Sequence, residues 1–191
     1  MIQTIAQHSK LSRFTSHKIE DAGIGVDVEN RLTQKEYIGV KVDDYYMSLK
    51  LRGETPKAVD FIVTVDCQCN AYVLYIIEFK NTNSPQGYTS KDICDKFDTA
   101  INRFMAKEFK DVFQNDRFKY KDMKLYLVTS AYKEAVRYGS FQKYIEMRSK
   151  VNQKDTLVND MTLSGRIFCF RGMARRIERE IPPNPVISRL L

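Results

Sequence analysis

The sequence predicts an α/β fold: a mixed central sheet with a three-stranded meander and flanking helices on both faces. Three observations predict it. Apolar, β-branched runs at 58–66 and 71–80 are joined by the short link Cys67-Gln68-Cys69-Asn70, which is the pattern of an antiparallel hairpin. The run Ala71–Ile77 is nearly continuously apolar, as in a central strand covered on both faces. Helical periodicities then alternate with further short apolar runs, which places helices against a sheet.

Each element follows from its own pattern. Residues 1–23 are polar with scattered apolar positions and read as an N-terminal arm or helix. A helix is expected over about 27–37, where Val28 and Leu32 repeat at i and i+4. A strand is expected over 41–51, because Tyr45, Met47, Leu49 and Leu51 alternate with polar neighbours. Gly53 and Pro56 punctuate the following turn. After the hairpin, 81–90 is a loop by composition. Thr89 with Asp92 resembles a capping box and opens a helix to about 109, with Ile93, Phe97, Ile101, Phe104 and Met105 on one face. A strand at 124–130, a helix at 139–151, a short strand at 166–170 and a helix at 173–181 complete the pattern. Pro182, Pro183 and Pro185 end that last helix, so 24–181 reads as a single domain and 182–191 as a Pro-rich tail.

Composition narrows the class. At 191 residues the chain is long enough to bury a core without disulfides or a structural metal. With 43% apolar and 29% charged residues it is not a disordered chain. No apolar run approaches the length of a membrane span, and the N-terminus lacks the pattern of a signal peptide, so a cytoplasmic or nucleoid- or nucleus-associated protein with no membrane partner is expected. The net charge is +7, and it is uneven: zero over 1–60, +1 over 61–132 and +6 over 133–191. A basic last third suits a polyanion, of which nucleic acid is the commonest.

The four cysteines, Cys67, Cys69, Cys94 and Cys169, do not make a metal framework. Cys67 and Cys69 have spacing for two corners of a zinc site, but Cys94 and Cys169 are isolated and the histidines His8 and His17 lie far away in sequence. Free thiols are expected. Two histidines in the polar N-terminal segment also give no basis for a Ser-His-Asp or Cys-His machine.

The residues that carry chemistry lie at one end of the hairpin. Asp60 opens one strand; Glu78 and Lys80 close the other. Glu78 and Lys80 are two apart and so share a face of the sheet. Asp60 and Glu78 are equidistant from residue 69, inside the turn, and should sit opposite each other. Charges buried there need partners or a metal. Two apposed carboxylates make a hard oxygen site suited to Mg²⁺, with Mn²⁺ as substitute. A nearby lysine orients a water or stabilises charge on a phosphate.

Pro56-Lys57-Ala58-Val59-Asp60 followed by Ile76-Ile77-Glu78-Phe79-Lys80 resembles the PD-(D/E)xK nuclease superfamily, with the Pro four residues before the Asp rather than adjacent to it. The resemblance covers about residues 24–131. It implies a restriction-endonuclease-like fold, Asp60 and Glu78 as metal ligands, and Lys80 as the catalytic lysine. It also implies a further carboxylate near a Gly on the first helix, for which Glu29 in Gly25-Val26-Asp27-Val28-Glu29 is the candidate.

The function expected from this resemblance is a Mg²⁺-dependent DNA endonuclease of restriction or defence type. A nucleic-acid-binding or assembly subunit without turnover is the alternative from a different class; a cap-snatching RNA endonuclease and a junction resolvase are alternatives within the nuclease class. Expected partners are nucleic acid, DNA first, and a homodimer or larger complex. Candidate backbone contacts are Asn81, Gln86, Tyr88 and Lys91 after the catalytic strand, and Arg171, Arg175 and Arg179 in the basic last third.

Overall fold

The central hairpin forms in the register that its spacing predicts. In the computed structural model, which describes residues 1–21, 23–81, 89–129, 163, 165–180 and 184–189, Phe61 pairs with Ile77 and each later pair steps inward to Asp66 with Tyr72. The turn between them holds Gln68, Cys69 and Asn70 at positive φ (70°, 52° and 56°).

Before the hairpin come α1 (Ile2–Gln7), a 3-10 turn (Leu11–Phe14), and the short strands β1 (Thr15–Ser16), β2 (Glu20–Asp21), β3 (Ile24–Gly25) and β4 (Asp27–Val28). Next are β5 (Tyr37–Lys41), α2 (Val42–Ser48), β6 (Phe61–Asp66) and β7 (Ala71–Lys80). Then α3 (Ser90–Asp98) runs on as a π-helix (Thr99–Glu108), followed by α4 (Lys110–Phe113) and β8 (Lys119–Thr129). The last described strands are β9 (Phe168–Phe170), β10 (Met173–Arg175), β11 (Ile177–Glu180) and β12 (Val186–Ile187). Six strands make one mixed sheet in the order β1-β5-β6-β7-β8-β11. Its first four members are antiparallel neighbours, and β8 and β11 run parallel to β7. The fold is therefore α/β with a mixed central sheet.

Alternation along β7 divides its side chains between two cores. Tyr72, Leu74 and Ile76 face a cluster that also contains Ile5, Val42, Tyr45, Tyr46, Ile93, Phe97, Phe104, Phe109 and Phe113. Val73, Tyr75, Ile77 and Phe79 face a second cluster with Ile19, Val26 and Ile187. Among the described residues the helices all contribute to the first cluster; short strands and loops, not helices, close the second face. The expected helix 139–151 lies outside the described residues.

Three sequence expectations are corrected. Residues 41–51 are not a strand: the meander's first strand is β5, and α2 follows it. Val42, Tyr45 and Tyr46 are buried at i, i+3 and i+4, whereas Met47, Leu49 and Leu51, which suggested the alternation, are exposed. Residues 27–37 are not a helix. Asp27 and Val28 pair in parallel with Val186 and Ile187, and the Glu29 N–H donates to the Ile187 carbonyl. A partner more than 150 residues away thus overrides the local Val28/Leu32 spacing. The helix expected over 173–181 is not formed at 173–180. Arg171 and Gly172 both take positive φ (47° and 80°), and their turn folds β10 back on β9. Ile177 then enters the sheet beside Leu125.

Other expectations hold. The helix after 89 is capped by Thr89, whose side chain accepts from the Asp92 N–H at 3.1 Å. The strand expected at 124–130 is present over Lys119–Thr129, beginning earlier than expected. The cysteines are free: Cys67 and Cys94 are buried, Cys69 and Cys169 exposed. No described helix is long and apolar enough to cross a membrane.

Phe104 is the hub of the larger core. It is fully buried, with ring centroids 4.6 Å from Phe109, 5.4 Å from Tyr45 and 6.0 Å from Phe113. Phe104→Ala is expected to lower stability by about 3–5 kcal/mol, read as a shifted urea midpoint at unchanged slope.

Candidate active site

The site is built where three strand ends and two helices meet. Asp60 is the residue before β6, and continuing the β6–β7 register by one step sets it across from Glu78. Glu78 and Lys80 follow Ile76 on the first-core face of β7, so they point toward α2 and α3 rather than toward solvent. Because β8 and β11 run parallel to β7, their C-terminal ends lie at this same end of the sheet. There Glu78 pairs with Leu127, Leu127 with Arg179, and Lys80 with Thr129. The Val42 N–H at the start of α2 donates to the Asp60 carbonyl at 3.1 Å, which brings Asp43, in the first turn of that helix, to the same corner.

Glu78 is completely buried. Its Oε1 receives two ammonium groups, Lys80 Nζ and Lys96 Nζ, each at 2.6 Å. Its Oε2 is buried without a hydrogen-bond partner among the described residues. Asp60 is also buried, and its Oδ2 accepts the Phe79 N–H at 2.6 Å. Burial, followed by the negative charge of Glu78, pushes the Asp60 carboxyl up to about 7, against the opposing pull of the Phe79 N–H and Lys96. Burial also raises the Asp43 carboxyl, with Asp44 and Asp21 adding repulsion and Lys96 opposing it. Burial acts to lower the Lys80 ammonium, yet the Glu78 carboxylate outweighs it and the net direction is up.

This donor set fits a small, hard divalent cation. Two carboxylates lie side by side, one oxygen is buried with no hydrogen bond, and one carboxyl is held near 7 by burial and by the neighbouring Glu78 charge. Among the described residues no group of three or more His, Cys, Asp or Glu is arranged to hold a metal ion, so these residues could contribute only the pair Asp60 and Glu78. One or two carboxylates plus substrate oxygens and waters suffice for Mg²⁺, which seldom takes an all-protein cage.

The expected site residues separate into three groups. Asp60, Glu78 and Lys80 are brought together. Arg179 joins their end of the sheet from a strand, not from the helix expected for it. Glu29 does not join them: it follows β4, whose Val28 packs against the second core, so it lies across the sheet from Glu78. Arg171 and Arg175 are at the opposite end. Arg171 binds the Asn115 carbonyl and Asp116, and Arg175 Nε donates to Asp122 Oδ1 at 2.7 Å. Asp122 pairs with Val73, seven positions before Lys80, or roughly 23 Å along the strand. Lys91 is exposed in the first turn of α3. Gln86 and Tyr88 lie outside the described residues.

Two members were missed. Lys96 reads in sequence as an ordinary i,i+4 partner of Asp92 on a helix surface, and Asp43 falls within the strand expected over 41–51. The only local signal for either is the register of α3 and α2, which depends on packing. Compared with known proteins, the chain matches no family model, no curated protein and no solved structure.

The raised Asp60 carboxyl has a consequence for stability. Between its ordinary 3.8 and about 7 the folded chain holds a proton that the unfolded chain releases, so this contribution to stability is lost as pH rises through that window. Asp60→Asn keeps a carbonyl for the Phe79 N–H and removes the charge. In EDTA, its stability relative to wild type is expected to rise by on the order of 3 kcal/mol between pH 4 and pH 8, measured by urea denaturation. An identical difference at both pH values would mean that Asp60 ionises in the fold without penalty.

Proposed function

We propose that this chain is a metal-dependent nuclease of the PD-(D/E)xK kind, with a restriction-endonuclease-like core, acting on DNA as an endonuclease of restriction or defence type. The observation that carries this reading is the convergence of Asp60, Glu78 and Lys80 on one face at one end of the sheet, with both carboxylates buried. A meander, a crossover helix and a parallel fourth strand are also the order of elements that the resemblance implies.

Asp60 and Glu78 would hold the Mg²⁺. When bound, such an ion polarises a phosphoryl oxygen and lowers the pKa of an attacking water. The chain's own groups do the rest. Lys80, with its pKa raised, is an ammonium at neutral pH and acts as a donor. Its Nζ, fixed by Glu78 Oε1 at 2.6 Å, is placed to hold a water or a non-bridging phosphate oxygen and to oppose charge that develops there. Burial of Glu78 excludes bulk water from one side and strengthens these interactions. Arg179 and Lys91 supply positive charge near the same end of the sheet, suited to the flanking backbone.

Incubation with plasmid, single-stranded DNA and RNA, each with Mg²⁺, Mn²⁺ or EDTA, tests the reading. Cleavage of DNA with Mg²⁺ or Mn²⁺, and none in EDTA, is expected. Lys80→Ala is expected to reduce the rate by roughly 10²-fold or more while leaving the circular dichroism spectrum unchanged. Undiminished metal-dependent cleavage by that variant would sink the assignment of Lys80. Salt-sensitive DNA binding with no cutting under any metal would favour a binding subunit instead.

A further inference from the structure

The centre contains one cation more than the proposed chemistry uses. Lys96 reaches across from α3 and places Nζ 2.6 Å from Glu78 Oε1, the same oxygen that Lys80 holds. Two ammonium groups on one carboxylate oxygen, with the other oxygen buried and bare, is an uneven arrangement. A lysine recruited only to neutralise Glu78 would gain more by taking Oε2. Lys96 is also close enough to Asp60 and Asp43 for its charge to act on both carboxyls. Its side chain is only 20% exposed, so water screens it little.

From this geometry we infer that Lys96 is a built-in counter-cation: it pins Glu78 so that Oε2 alone is left for a metal, and it restricts the centre to a single divalent ion. The inference rests on the metal-dependent reading above. Its logic is charge balance. Asp43, Asp60 and Glu78 carry three negative charges when ionised, and Lys80 and Lys96 carry two positive ones. One divalent ion leaves the centre singly positive, matched to one phosphodiester. A second would leave a strongly positive buried cluster with nothing to offset it. Without Lys96 the centre starts doubly negative, so one divalent ion leaves it neutral and a second meets no net positive charge. Lys96 is thus a positioning residue, acting through Glu78.

Mn²⁺ alone is the probe, titrated into the full chain and read by electron paramagnetic resonance and calorimetry, so that no turnover is needed. Wild type and Lys96→Arg are expected to bind one Mn²⁺ per chain, and Glu78→Gln to lose it. Lys96→Met, which keeps the length of the stem without the charge, is expected to bind two, the first roughly tenfold tighter than wild type, because a like charge has been removed from beside the ion. Thermal denaturation of each variant checks that it is folded. The inference is overturned if wild type binds two ions or none, or if Lys96→Met binds one ion with wild-type affinity. A wild type that binds a single Mn²⁺ but cuts no nucleic acid would overturn the nuclease reading instead, and would leave the role of Lys96 standing.

Discussion

The β6–β7 register brings two carboxylates face to face inside the protein, and much else in the structure answers that constraint. Ionised Asp60 and Glu78 repel one another, and burial removes the water that would screen them. An isolated buried charge costs several kcal/mol, so a fold that places two together must bring compensation. It arrives from three directions: the Phe79 N–H on Asp60, Lys80 from the same strand, and Lys96 from the crossover helix. None of it completes the centre. Asp60 is left with a raised pKa, and Glu78 with an unsatisfied oxygen. Partial compensation of this kind is the feature on which the proposal of a metal centre rests.

The helices can be understood from the same corner. The N-terminus of α3 is fixed by Thr89 and by the Lys57–Asp92 pair, which ties the segment leading to Asp60 to the helix carrying Lys96. That pair is exposed and contributes little energy, but it links two contributors to the centre. The aromatic cluster around Phe104 anchors α2, the π-helix and α4 against the sheet. Asp43 and Lys96 are therefore held by the packing of their helices, more than 10 positions in sequence from Asp60 and Lys80.

What could be read from sequence was what local rules determine. The hairpin was legible because period-2 side-chain placement and a short link fix register by arithmetic, and Asp60 opposite Glu78 follows from nothing else. The helix at 90–108 was legible because its apolar face repeats over several turns and its cap is a local hydrogen bond. The errors share one cause: short segments whose conformation is decided by a distant partner. Asp27–Val28 is extended because β12 reaches it, and α2 is helical because Tyr45 and Tyr46 fill the space beside Phe104. Five or six residues carry too little periodicity to distinguish those outcomes. Lys96 was illegible for the same reason: nothing in its neighbours says which side of α3 meets Glu78.

The uneven charge of the chain takes on a different meaning in three dimensions. The basic last third suggested a grip on a polyanion, yet several of its described arginines are engaged with acids of the earlier chain: Arg166 with Asp98, Arg171 with Asp116, Arg175 with Asp122 and Arg189 with Glu36. These contacts fasten β9, β10 and the C-terminal segment onto the sheet. For these four arginines, pairing with acids of the same chain comes before any partner. The positive groups at the corner itself are Lys80 and Lys96, both facing a buried carboxylate, with Arg179 and Lys91 beside them. A polyanion that reached this corner would meet cations already held by the fold's own acids, and its recognition would depend on how those pairs rearrange as much as on how many lysines and arginines the chain contains.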